Sequence, residues 1–192
     1  MKEPALGMIE FKSVARGIYA LDAIAKKAPV SILKATPISS GKFIILFNGD
    51  VASVEESIHA GIESGKQDII NHLFLPYVHD DIIPAITQSN KVDDYQSIGI
   101  IETYSICACV GAADLAVKET PVSILEIKLG NAIGGKGYFI LSGNLSDLEA
   151  SMEVAQNYLN DKIISEPIII PSPHPDLIEN GIYWQREGLR WN

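Results

Sequence analysis

Residues 6–33, LGMIEFKSVARGIYALDAIAKKAPVSIL, align without a gap on residues 98–125, IGIIETYSICACVGAADLAVKETPVSIL. Gly7, Glu10, Ser13, Ala20, Asp22, Lys26 and the run from Pro29 to Leu33 all recur. After a two-residue insertion Gly41 and Lys42 match Gly135 and Lys136, Gly49 matches Gly143, and Glu55 and Ser57 match Glu149 and Ser151. Further on, His79 matches His174. Two copies are too few for a solenoid, and each is long enough to hold its own core, so the chain reads as a duplicated domain. The expected units are residues 5–87 and 96–178, followed by an aromatic tail over 179–192.

Periodicity changes in the same order within each copy. LGMIEF is a short apolar strand, and Ile18, Leu21, Ala25 and Ala28 then recur at helical spacing until Pro29 ends the helix. VSILKAT and KFIILFNG are strands joined by the small-residue loop 37–41. Asp50 is an N-cap, and the helix it opens carries Val54, Ile58 and Ile62 on one face. A last strand is expected around residues 72–78, with a short helical segment from Asp80. The order β-α-β-β-α-β specifies an α+β unit of ferredoxin-like type, an antiparallel sheet with its helices on one face. Residues 88–94 are polar and patternless, which suits an exposed linker.

Composition narrows the partners. A net charge of −9 over 192 residues, with no basic cluster, argues against nucleic acid, whose phosphates need grouped Lys and Arg. MKEPALGMIE lacks the apolar core of a signal peptide, and no apolar run approaches the roughly 20 residues that span a bilayer, so the expected location is the cytosol. Cys107 and Cys109, two apart on a helix, point in different directions and read as small buried residues.

The Gly-x-Ile-Glu strand, the Lys-x-x-Pro-Val helix end, the glycine-bearing hairpin loop and the closing IIIPSPHPDL together resemble bacterial microcompartment shell domains (BMC domains). Both repeats carry the pattern, and the chain is most similar to the T-type tandem shell proteins of propanediol-utilisation compartments. The resemblance implies a structural protein, not an enzyme, whose three copies form a ring of six domains, a trimeric pseudohexamer that tiles with other shell proteins. It also implies edge contacts between tiles at Lys26 and Lys118, and at His79 and His174. Ser172 stands where the family carries an arginine before that histidine, and PYVH departs further, which puts sheet formation in question.

In such a ring the loop between the second and third strands of each domain points to the symmetry axis. The resemblance therefore places Ile38, Ser39, Ser40 and Gly41 of the first repeat, and Asn131, Ala132, Ile133 and Gly134 of the second, around a small central pore for metabolites. T-type proteins have a cysteine at the position of Ser39, and three such thiolates hold an iron-sulfur cluster. A serine hydroxyl is a poor substitute, so no cofactor is expected, and electron transfer through a cluster requires cysteine at 39. Residues 130–136 also satisfy G-x-x-x-x-G-K. Gly137 replaces the Ser or Thr that would ligate magnesium and a strand follows, so nucleotide binding is not expected.

No metal-ligand or catalytic spacing links His59, His72, His79 and His174, and no G-x-S-x-G elbow precedes a helix. Tyr183, Trp184 and Trp191 mark the tail as a segment that packs on its own or a neighbouring domain, with partner recruitment as the alternative. A third function class, a small-molecule regulatory module, rests on the ferredoxin-like fold alone.

Overall fold

The structure, a computed structural model, describes residues 4–87, 90 and 95–178. The tail over 179–192 and most of the linker lie outside the described residues. In the first repeat β1 (Ala5–Phe11), α1 (Val14–Lys27), β2 (Ser31–Ile38), β3 (Lys42–Gly49), α2 (Val51–Gly65), β4 (Ile69–Leu75) and α3 (Ile82–Thr87) follow one another. The second holds β5 (Ser97–Thr103), α4 (Ile106–Glu119), β6 (Ser123–Leu129), β7 (Gly137–Gly143), α5 (Leu145–Leu159) and β8 (Ile168–Pro171). Their four-stranded antiparallel sheets have the orders β2-β3-β1-β4 and β6-β7-β5-β8. This is the expected duplicated ferredoxin-like arrangement. The last strand of the first repeat starts earlier than its hydrophobic pattern suggests, because a single 3₁₀ turn over Lys66–Asp68 returns the chain to the sheet directly after α2.

Helix boundaries are set by the same chemistry in both copies. Ser13 Oγ accepts from Arg16 N at the start of α1, and Ser105 Oγ accepts from Ala108 N at the start of α4. Asp50 and Asn144 likewise accept from Ser53 N and Asp147 N. Each satisfies a backbone donor that the first helical turn leaves without a partner.

Side chains alternate across β1. Ile9 and Phe11 face α1 and α2 and pack with Ile24, Phe43, Phe47, Val54 and Ile58. Gly7 lies opposite Phe47 on β3, and a Cβ there would sit 2.6 Å from the phenyl ring, so the recurring glycine makes room for a core aromatic. Leu6 and Met8 point the other way, into a core shared with α4 of the second repeat.

Nothing in the local pattern announces that second face. α1 and α2 lie on one face of the first sheet and α4 and α5 on one face of the second, but the opposite face of the first sheet, where α3 packs against α4 and β6, is also covered by α4. Its sequence allows this: ICACVGAADLAVKE is mostly Cys, Ala, Gly and Val, small enough for a helix between two sheets, and eleven of its fourteen residues are buried. In α1 only Gly17, Ala20 and Ile24 are buried, and Ile18 and Tyr19 stand 55% and 62% exposed. Asn90 fixes the linker to β6. Its backbone N–H donates to Leu125 O at 2.6 Å, where a bulge leaves that carbonyl outside the ladder.

Placing a methyl group at position 7 forces Phe47 off its rotamer in a close-packed core. Gly7→Ala should therefore lose about 1–3 kcal/mol of stability, read as a lower midpoint in urea unfolding with an unchanged slope.

Candidate functional site

One carboxylate organises the contact between the two repeats. Glu10 is the polar member of the outward face of β1 and is 0% exposed. Its Oε1 accepts from Lys42 Nζ at 2.8 Å, and its Oε2 accepts from Ser105 Oγ at 2.8 Å and Ile106 N at 3.2 Å. The carboxylate thus sits at the N-terminus of α4, where free amide donors and the helix dipole both favour an anion. Lys42 Nζ donates in addition to the carbonyls of Tyr104 (3.3 Å) and Gly135 (3.1 Å), tying β3 to the second repeat at two further points. Asn71 of β4 completes the cluster by donating to Ser105 Oγ at 2.9 Å.

At the far end of α4 a second acid repeats the theme. Asp114 Oδ1 accepts from the backbone N–H of His79 at 2.8 Å, and its Oδ2 pairs with Lys118, which also donates to Tyr77 O. Lys118 and His79, expected from the resemblance at a tile edge, are therefore brought together at the rim of this joint. Their counterparts Lys26 and His174 are exposed and far simpler in their bonding: Lys26 pairs with Asp22 at 2.6 Å, and His174 Nδ1 accepts from Asp176 N. Sequence reasoning passes over Glu10, Lys42 and Asp114. The available signal is recurrence itself, since each has an identical counterpart in the other repeat and Glu10 interrupts an otherwise apolar strand.

The two hairpin loops expected at a pore lie against each other. Ser39 Oγ accepts from Ala132 N at 3.1 Å, and Ser40 Oγ donates to Gly134 O at 3.0 Å. Gly130, Gly134 and Gly135 all have positive φ, and a Cβ at Gly135 would come within 2.8 Å of Ser39 O, so glycine is required for this approach. Ile38 is buried against Gly130, whereas Ser40, Gly41, Asn131, Ala132 and Gly134 are exposed, with Ile133 half-buried beside them.

The donor set does not fit an iron-sulfur cluster. The Ser39 side chain offers a hydroxyl already engaged with a backbone amide, and cluster iron needs thiolates. No group of three or more metal-ligating side chains occurs among the described residues. Cys107 and Cys109 are buried in α4. Loss of solvation pushes the Cys109 thiol up to about 12 and raises Cys107 well above its ordinary value, so both stay protonated at neutral pH.

The BMC domain family model matches residues 5–78 and 97–173, which together take in both sheets. The chain is a tandem BMC-domain shell protein. It is 36% identical to the bacterial microcompartment shell protein PduT of Citrobacter freundii over 174 residues, covering 90% of this chain and 95% of that one. A crystal structure of a microcompartment protein from Desulfitobacterium hafniense superposes with a TM-score of 0.83 at 36% identity, covering 93% of this chain and 99% of the other. A fused permuted hexameric shell protein shares the fold, with a TM-score of 0.59 at 16% identity. Within this BMC tandem, the joint held by Glu10 and the paired loops are the two features with chemistry built into them.

The joint has two measurable consequences. Removing one partner of a buried ion pair strands the other, so Glu10→Gln should destabilise the folded chain by about 3–5 kcal/mol, measured by urea unfolding. Neither cysteine should react with a thiol-specific disulfide reagent at pH 8 in the native protein, and both should react promptly in denaturant.

Proposed function

We propose that this BMC tandem is a structural tile, not an enzyme: three copies close into a pseudohexameric ring that takes its place among other shell proteins around a bacterial cytoplasmic microcompartment. The observation that carries this is the joint inside the chain. One domain presents a sheet face and the next presents a helix, and after they have docked the chain still has one of each left over. Among the described residues, the part of the β5, β7 and β8 face that carries Ile100, Glu102, Tyr138 and Ile168 remains partly open, and α1 remains exposed on the other side. Such a head-to-tail contact generates a closed ring or an open helix. Six domains in a ring correspond to three chains.

In that ring the paired loops gather around the axis. The opening would be framed by Ser39, Ser40, Gly41, Asn131, Ala132, Ile133 and Gly134, with backbone amides and serine hydroxyls suited to water and small polar metabolites. Ile38 backs this rim from beneath. The outer rim would offer Lys26 and Lys118, with His79 and His174 nearby, to neighbouring tiles. Serine at 39 leaves the opening without a metal cofactor.

Light scattering coupled to gel filtration should return three times the 20.8 kDa of one chain. A monomer at every concentration removes the proposal. Protein isolated without added iron should be colourless and contain less than one iron per ring. A brown preparation holding stoichiometric iron contradicts the account of Ser39.

A further inference from the structure

We infer that the joint between copies is a charged version of the joint inside the chain, in which Glu102 caps the N-terminus of α1 of a neighbouring copy. This rests on the ring reading above and adds the residues that make the contact. Glu102 is the counterpart of Glu10, and Lys136 of Lys42. Within one chain these two stand 3.7 Å apart and are 44% and 46% exposed, although the equivalent pair is enclosed by Ser105, Ile106 and Tyr104. They line a groove of about 350 Å³ together with Ile133 and Tyr138.

The counterparts of the three enclosing residues are Ser13, Val14 and Lys12, which begin α1. Placed as in the first joint, the neighbouring copy's Ser13 Oγ and Val14 N would donate to Glu102. Lys136 would donate to that copy's Lys12 and Gly41 carbonyls. At the far end the neighbour's Asp22 would accept from the backbone N–H of His174, as Asp114 does from His79.

Two independent features agree with this occupant. Ile168, 53% exposed, replaces Leu73, which is buried, and exposed Ile18 replaces Val110, which is buried in α4. Both are apolar side chains left in water at the positions where the first joint covers them. Charge is the second. The first joint has Asn71 on the sheet side, bonded to Ser105, and the uncharged Tyr104 and Ala108 at the start of the helix side. The other pair has Glu166 in place of Asn71, and Lys12 and Arg16 in place of Tyr104 and Ala108. Lys12 and Arg16 share the single carboxylate of Asp68 within their own chain, each at 3.6 Å. The helix start is left with an excess positive charge to meet the added Glu166 of the sheet face, which makes the pairing sensitive to salt.

Dilution series followed by mass photometry, at low and high sodium chloride, test the contact set. Glu102→Gln should raise the concentration at which trimers dissociate by about tenfold or more, through loss of a charge-assisted hydrogen bond at each joint. Its urea unfolding as a monomer should match that of the unaltered chain. Asp22→Asn, at an exposed position with no role in the single chain's core, should act in the same direction from the other side of the joint. Salt should loosen the unaltered trimer, and Glu166→Asn should blunt that response. Trimers that dissociate at the same concentration as the unaltered protein in both Glu102→Gln and Asp22→Asn overturn this inference and leave the ring intact. An unaltered chain that never forms trimers overturns both.

Discussion

A buried carboxylate at the start of a neighbouring helix is the constraint on which the arrangement of this molecule depends. Glu10 is wholly enclosed, and an enclosed charge is tolerated only when cations and donors saturate it. Lys42 is supplied by the strand next to it, but Ser105 and the Ile106 amide come from the other domain. The first sheet therefore cannot reach its lowest free energy alone. Leu6, Met8, Leu46 and Leu73 add an apolar reason, because their face would otherwise be wet.

Duplication followed by divergence explains why the two halves share a fold and differ in surface. The strands, caps and recurring glycine are alike, since they answer to each domain's own core. The helices α1 and α4 differ because only one of them is covered within the chain. Cys, Ala and Gly in α4 permit close approach on both sides, and a Cβ at Gly111 would meet the Tyr158 hydroxyl at 2.5 Å. The matching position in α1 is Tyr19, whose ring lies under the Arg16 guanidinium at 5.6 Å. A helix shaped for enclosure and one carrying charge and an aromatic at its start are two solutions to one docking problem.

Much of this is legible in the sequence. The repeat sets the domain count, Pro29 and Asp50 mark helix limits, and the apolar run LGMIEF marks the first strand. What escapes is long-range in origin. Glu10 and Ser105 are separated by 95 residues, and no local pattern says that a carboxylate in a strand will meet a serine hydroxyl there. The serines at 39 and 40 fall in the expected loop, but their bonds to Ala132 and Gly134 depend on how the second hairpin folds over the first. Asp114, which pairs with Lys118, joins the two repeats in the same way by accepting from the His79 amide, and no local pattern announces that bond.

We propose that the sheet-to-helix joint made once within the chain is made again between chains until a ring closes. Class averages from electron microscopy of the purified protein address it directly. The account predicts particles of six lobes with threefold symmetry around a narrow central opening. Twofold particles, or filaments in which the head-to-tail contact repeats without closing, contradict it.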